Sequence, residues 1–199
     1  MSDMPSTKMD RRSQRTRQAL AVALAALMSE KRYDKISVQD IIDRANVGRS
    51  TFYAHYQDKE DLLISQLEHV LDIFDQHAGH GAAGAQPMLA SLEIFRHVEA
   101  HRHLYDALGW GRGVELLFTK AQSGMARSFE ARLRALAPPA QQPAVPLPIV
   151  ADYLAGALLT LLKWWLDNDM PYPPERMEAI FQRLVLPGVW ASLGRHGQP

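Results

Sequence analysis

The chain has 199 residues, no cysteine and a formal net charge of zero at pH 7. The lack of cysteine excludes disulfides, thiolate metal sites and cysteine nucleophiles. No apolar run reaches the roughly 18 residues that a membrane span needs, because the longest one, residues 153–166, is short and contains Lys163. We therefore expect a cytoplasmic protein with no membrane partner.

Charge is distributed unevenly along the chain. Residues 8–59 contain eleven Lys or Arg and six Asp or Glu, so the remainder carries the balancing negative charge. A basic N-terminal quarter on a neutral chain is typical of a nucleic-acid module joined to a second domain. An ordinary solvated surface explains the same charges, and the charge pattern alone does not decide between the two.

The apolar residues recur at helical spacing almost everywhere, which predicts an all-α fold. The predicted helices cover residues 11–29, 38–45, 49–55, the segment after Asp58 to about Gln76, and residues 88–101, 104–108, 114–136, 149–168 and 175–191. Residues 78–87 are rich in glycine and alanine and predict a loop. Residues 137–148 contain five prolines and predict an extended connector.

Polar residues at fixed spacing mark the ends of the short N-terminal helices. Ser37 and Asp40 form a capping-box pattern before the helix 38–45. Asn46 suits the left-handed backbone that ends a helix, and Gly48 is acceptable as the N-cap of the next one. The pattern predicts two short helices that are joined by a tight turn and preceded by a longer helix, which is a helix-turn-helix.

The second short helix of such a motif lies in the major groove of DNA. Its side chains can pair with base edges or donate hydrogen bonds to phosphate oxygens. The candidate contacts on this helix are Arg49, Ser50, Thr51, Tyr53 and His55. Phe52 and Tyr56 offer aromatic faces that favour packing against neighbouring helices over DNA contact.

The segment 45–63, ANVGRSTFYAHYQDKEDLL, resembles the signature of the tetracycline-repressor (TetR) family, and the resemblance extends over about residues 11–65. The matching positions are Ala45, Val47, Thr51, Phe52, Tyr53, His55, Tyr56, Lys59, Leu62 and Leu63. Asn46, Gly48 and Ser50 depart from the residues that the family often has there, namely glycine, serine and glycine. The operator sequence of a relative therefore does not transfer to this chain.

The resemblance implies a homodimer whose two recognition helices lie roughly 34 Å apart and bind a palindromic DNA operator. It implies an N-terminal helix-turn-helix domain (residues 8–62) and a C-terminal helical domain (residues 63–195) that dimerises and binds an effector. It also places Lys59 and the basic residues of the first helix near phosphates, whereas the alternative for each is a solvated charge. The complete predicted DNA-contact set is Arg15, Arg17, Ser37, Val38, Arg44, Gly48, Arg49, Ser50, Thr51, Tyr53, His55, Tyr56 and Lys59.

Residues 153–184 resemble the end of the C-terminal domain in a TetR subgroup, with a small-residue helix that leads into Lys-Trp-Trp-Leu. The last two predicted helices are then the dimer helices, and both carry broad apolar stripes. The predicted interface consists of Leu158, Leu162, Trp165, Ile180, Phe181 and Leu184. The alternative is that these side chains close the core of the single chain.

We expect an unidentified small-molecule effector to bind among the middle helices. The candidate lining residues are Tyr105, Trp110, Phe118, Met125 and Trp164, each of which is alternatively a core residue. Glu93, His97 and His101 share one helix face, but three ligands on a single face make an incomplete zinc site. We predict no metal and no cofactor.

The predicted function is a ligand-responsive transcriptional regulator, with repression more typical of the family than activation. No nucleophile–base pair, paired carboxylate site or metal triad emerges from the sequence, which argues against an enzyme. A DNA-binding architectural or partner-recruiting protein with the same fold and no inducer stays open.

Overall fold

The structure, a computed structural model, describes residues 6–78, 91–108, 112–137 and 142–194. These residues contain α-helices, one short 3-10 turn at Tyr33–Lys35 and no strand, which confirms the predicted all-α class. The helices are α1 Ser6–Met28, α2 Val38–Ala45, α3 Arg49–Tyr53, α4 Lys59–Ala78, α5 Ser91–Ala100, α6 Arg102–Leu108, α7 Arg112–Leu136, α8 Leu147–Asp167 and α9 Pro174–Ser192.

The described residues form two compact units. The N-terminal unit comprises the described residues up to Leu67 together with those of 103–117, and the C-terminal unit comprises those of 68–102 and 118–194. Packing therefore joins α6 to the N-terminal unit, which the sequence did not indicate. The predicted functional boundary between residues 62 and 63 stays a prediction.

The core of the N-terminal unit forms where α1 packs on α2. Leu20 and Leu24 of α1, four residues apart, lie on one helix face and are buried with Ile41 and Ile42 of α2. Burial of each such side chain stabilises the folded state by about 1.5–3 kcal/mol. This shared core fixes the position of α2 on the longer helix.

The predicted helix ends of the motif match the structure closely. α2 has the predicted bounds, and its capping box is present: the Asp40 amide donates to Ser37 Oγ at 3.1 Å, and the Ser37 amide donates to Asp40 Oδ2 at 2.7 Å. α3 ends at Tyr53, two residues earlier than predicted, because the His55 amide turns back to the Phe52 carbonyl. α1 begins five residues earlier than predicted.

In the C-terminal unit, α9 packs against both α5 and α8. α8 is long and apolar enough to cross a membrane by length and composition alone. Its buried side chains identify it instead as a core helix of this unit, and they are Val150, Ala151, Leu154, Ala155, Leu158, Leu159, Leu162 and Trp165. Pro174 occupies the first position of α9, as the sequence predicts.

A buried polar cluster joins α5 to α9. Ser91 Oγ donates to Glu178 Oε2, and Gln182 Nε2 donates to Glu178 Oε1. Ser91 and Glu178 are both buried, so these hydrogen bonds satisfy polar side-chain atoms that are largely shielded from water. The cluster therefore fixes how α5 and α9 pack.

Candidate nucleic-acid interface

The short helix α3 is held in place by two buried aromatic rings, one within the helix and one just after it. Phe52 has no exposed surface, Tyr56 is also buried, and their ring centroids are 6.0 Å apart. The opposite side of α3 carries Arg49, Ser50 and Tyr53, which are exposed, and the Tyr53 side chain is 47% exposed. Tyr56, which we predicted as a DNA contact, is therefore a core residue that supports the helix.

The turn before α3 has the geometry that the sequence predicts. Asn46 adopts the left-handed backbone, with φ 51° and ψ 50°, and the Val47 amide donates to the Ile42 carbonyl at 3.0 Å. Gly48 is the N-cap, and its carbonyl accepts from the Thr51 amide at 2.9 Å. A Cβ at Gly48 would lie 3.7 Å from the Thr51 hydroxyl, an ordinary contact, so a side chain such as the family's serine fits here.

Arg49 and Tyr53 form one unit on the exposed face of α3. They are four residues apart, and the Arg49 guanidinium carbon lies 5.6 Å from the centroid of the Tyr53 ring. This cation–π contact restricts the arginine side chain before any partner binds. The pair presents a guanidinium and a phenol hydroxyl, the groups that guanine edges and phosphates accept. His55 is half-buried, and its ring centroid lies 6.4 Å from that of Tyr56.

At the start of α2, the polar groups of Ser37 are occupied by Asp40. Ser37 Oγ also donates to Asp40 Oδ2 at 2.7 Å, and Lys31 Nζ lies 3.0 Å from the same oxygen. Ser37 and, second, Lys31 hold the pKa of Asp40 well below its usual range. The Ser37 hydroxyl therefore caps the helix, and neighbouring Val38 is half-buried.

Two of the predicted phosphate-binding cations already have partners within the protein. Lys59 Nζ donates to the carbonyls of Tyr33 and Ile36, at 3.1 Å and 2.7 Å. Arg44 forms a two-bond ion pair with Glu30, at 2.9 Å and 2.8 Å, which raises its pKa. The sequence did not indicate either partnership, because residues far apart in the chain supply the acceptors.

The basic residues of α1 are differently placed. Arg15 and Arg17 are exposed and have no ion-pair partner among the described residues. Arg15 also lines an open groove of about 450 Å³ between α1 and α2, together with Ala19, Val22 and Ala23 of α1. These arginines remain available to an anionic partner.

The predicted effector-binding residues do not share one environment. Tyr105 belongs to the N-terminal unit, and burial raises its pKa to about 12. Phe118 is half-buried and Met125 is buried on α7, whereas Trp164 is 46% exposed and stacks on Tyr172. Trp110 lies outside the described residues.

Four of the six predicted dimer residues are buried within the single chain. Leu158, Leu162, Trp165 and Phe181 are core residues, because helical phase turns them toward the packing between helices. Ile180 is half-buried, and Leu184 is 65% exposed. The alternative interpretation therefore describes the four, and only the remaining two can contact another molecule.

The side chains on the histidine-containing face of α5 and the residue after it contact one another or an arginine. Glu93 pairs with Arg96 at 2.9 Å, while the rings of His97 and His101 stack 4.3 Å apart. Burial, and second the neighbouring His101, lowers the pKa of His97 to about 4. Within the described part of the chain, no group of three or more metal-binding side chains comes together.

Comparison with known proteins agrees with this geometry. Residues 20–65 match the model of a family described as bacterial regulatory proteins, tetR family. Residues 86–186 match one described as the C-terminal region of transcriptional regulators. Together the two matches cover most of the chain, from within α1 to within α9.

Individual relatives show the same pattern. The chain is 29% identical over 185 residues to YxbF, an uncharacterised HTH-type transcriptional regulator of Bacillus subtilis, covering 89% of this chain and 46% of that protein. It is 42% identical over 48 residues to DhaS, a transcriptional activator of the dhaKLM operon in Lactococcus lactis, covering 24% of this chain and 26% of that one. The chain thus spans less than half the length of the curated relatives that it matches.

A solved structure matches nearly the whole chain. It is a TetR transcriptional regulator from Streptococcus agalactiae, with a TM-score of 0.63, 27% identity, and coverage of 91% of this chain and 99% of that one. The similarity extends over both the helix-turn-helix and the C-terminal helices.

Proposed function

The chain belongs to the TetR family of bacterial regulatory proteins, and from this premise we propose that it is a ligand-responsive repressor. Members of this family are DNA-binding transcriptional regulators, not enzymes. In this proposal a cytoplasmic homodimer binds a palindromic operator and leaves it when a small molecule binds to the C-terminal domain.

The exposed face of α3 is the observation that carries the proposal. Arg49, Ser50 and Tyr53 project from a helix whose other side is anchored by the buried Phe52 ring. A helix that is held this rigidly presents its side chains to a groove without first ordering them, which favours sequence recognition. Arg15 and Arg17 supply positive charge on α1, and phosphate contacts of this kind position a protein on DNA.

A second copy of the chain is the proposed partner of α8 and α9. Ile149, Tyr153 and Trp164 are exposed on α8, with spacings of four and eleven residues that place them on one face, and Leu184 is exposed on α9. Large apolar side chains grouped on the surface of a soluble protein mark an interaction site. Two such faces related by a twofold axis would make a self-complementary interface, and a twofold dimer matches a palindrome.

Repression requires no surface beyond those that bind DNA and the second copy, since a dimer that occupies a promoter suffices to block it. Activation would need a further surface for the transcription machinery, and the activator DhaS shows that similarity alone does not fix the sign. We propose Phe118 and Met125 of α7 as effector-binding residues of the C-terminal unit.

The test is selection of the purified protein on a randomised duplex library at near-physiological salt, followed by sequencing. We expect a palindrome with half-sites about one DNA turn apart. A single, non-repeated half-site would contradict the dimer, and salt-sensitive binding without any enriched sequence would contradict sequence recognition. A promoter reporter that contains the recovered site then gives the sign: increased expression with the protein present would overturn repression.

A further inference from the structure

Lys59 connects the two chain segments that flank the helix-turn-helix. Tyr33 and Ile36 come just before α2, and Lys59 is the first residue of α4, after α3. The Lys59 ammonium donates to the Ile36 carbonyl at 2.7 Å and to the Tyr33 carbonyl at 3.1 Å. The Lys59 side chain thus binds two carbonyls that lie 23 and 26 residues earlier in the chain. It closes α2, the turn and α3 into a loop.

The Tyr33 ring completes this contact. Lys59 Nζ lies 4.6 Å from the ring centroid, a cation–π distance, and the ring is buried. The Tyr33 hydroxyl makes no hydrogen bond of ordinary geometry among the described residues, although the Glu60 carboxylate lies close enough to raise its pKa. Burial, and then the charges of Glu60 and Asp58, raises the pKa of Tyr33, so its hydroxyl stays neutral. The ring, not the hydroxyl, is therefore what Tyr33 contributes.

We propose that Lys59 is a positioning residue that holds the helix-turn-helix closed and makes no phosphate contact. Two of the three ammonium donors are taken by carbonyls, and the third side of the ammonium faces the Tyr33 ring. Its role is to fix where the chain enters α2 relative to where it leaves α3, so that the exposed residues of α3 keep one orientation. The inference rests on the DNA binding proposed above.

The salt dependence of operator binding separates the two roles. A phosphate contact contributes about 0.9 to the slope of log K against log salt. Lys59→Met removes both hydrogen bonds and the charge, and we expect about tenfold weaker binding with an unchanged slope, because α3 loses its fixed orientation while no phosphate contact is removed. Arg17→Met is the matched control, a predicted phosphate contact whose loss should lower the slope. A slope reduced equally in both variants would overturn the proposal.

A second pair of variants tests whether the Tyr33 aromatic ring is needed for the contact with Lys59. Tyr33→Leu removes the aromatic face and should reproduce the weaker binding, although the Tyr33 side chain is buried and not exposed to a partner. Tyr33→Phe keeps the ring, so its affinity should return to within about twofold of the parent. The effects of Lys59→Met and Tyr33→Leu should not add in the double variant, because both break one contact. Additive effects would contradict the shared contact. Thermal unfolding of each variant confirms that binding is measured on folded protein.

Hydrogen exchange tests, without DNA, whether Lys59 holds the loop of α2, the turn and α3 closed. In Lys59→Met, we expect faster exchange of the amides of residues 38–53 and unchanged exchange in α8. Unchanged exchange in residues 38–53 would overturn the proposal, whatever the DNA result. If the parent protein selects no DNA sequence while Lys59→Met shows the faster exchange, the proposed function fails and the positioning role of Lys59 stands.

Discussion

The helices α3 and α8 differ in which side chains they leave exposed to solvent. α3 buries one large ring, Phe52, and turns polar groups outward, so its exposed surface suits a charged and hydrogen-bonding partner. α8 buries eight side chains and still leaves Ile149, Tyr153 and Trp164 in water. The polar side chains of α3 are well hydrated when exposed, whereas the exposed apolar side chains of α8 are the ones that we propose a second copy of the chain covers. The partner of each region is thus indicated by what it leaves exposed.

The adjacent tryptophans of α8 provide the largest expected effect. Trp165 is fully buried, contacts Phe95 edge to face at 5.5 Å and donates to the Tyr172 carbonyl at 2.8 Å. Trp165→Ala should lower the free energy of unfolding by about 3–5 kcal/mol. Trp164→Ala, its matched control, removes an exposed ring and should change it far less. Chemical denaturation of both variants in the Leu184→Glu background, which we expect to be monomeric, measures this, and equal losses would contradict the different environments.

Charge on the exposed apolar face should separate the dimer without unfolding the chain. Leu184→Glu places a carboxylate in the proposed interface, where an unpaired buried charge costs about 3–5 kcal/mol. We expect a halved mass in light scattering at micromolar concentration. Ala179→Glu, exposed on another side of α9, should leave the mass unchanged. A Leu184→Glu variant that keeps the parent mass would place the interface elsewhere.

Substitution of Arg49 should produce a smaller energetic effect, on DNA binding by α3. Arg49→Ala removes a guanidinium that stands ready on the Tyr53 ring, and we expect operator affinity to fall by about 1–3 kcal/mol with relaxed preference at one base position. Competition with single-base operator variants measures this preference. A uniform loss over all variants would reassign Arg49 to phosphate.

The last effect concerns the dependence of stability on pH. The pKa of His97 is about 4 in the folded chain and near 6.5 in the unfolded one, so the unfolded state binds the proton first. Stability from neutral His97 is present above about pH 6.5 and is lost as pH falls toward 4. In His97→Gln, the midpoint of denaturant unfolding should depend less on pH between about 6.5 and 4 than it does in the parent. A parent curve already flat between these values would contradict the assigned pKa.

The sequence predicted the N-terminal motif well because its signals are local. Ser37 and Asp40 are three residues apart, and Asn46 and Gly48 impose their backbone on the spot, so no knowledge of distant residues was needed. The roles of Lys59 and Arg44 depended on carbonyls and a carboxylate 14 to 26 residues away, which spacing does not reveal.

The C-terminal helices were predicted as elements, but their faces were not assigned correctly. α8 is apolar nearly all round, so periodicity gave no reason to prefer Trp164 or Trp165 for the core. Contacts with α5 and α9 made that choice, and they turned Trp165 inward. Leu184, by contrast, lies on a part of α9 that no described helix covers heavily enough to bury it.

The positive charge of α1 has a calorimetric consequence. Arg11, Arg12, Arg15 and Arg17 are exposed on a regular helix that begins at Ser6. A basic arm without structure would fold on reaching DNA, and coupled folding gives a large negative heat-capacity change. Here the cations arrive already ordered, so the heat capacity of association should reflect only the surface that the two molecules bury. Titration calorimetry over a range of temperatures should give the modest value of a rigid docking event.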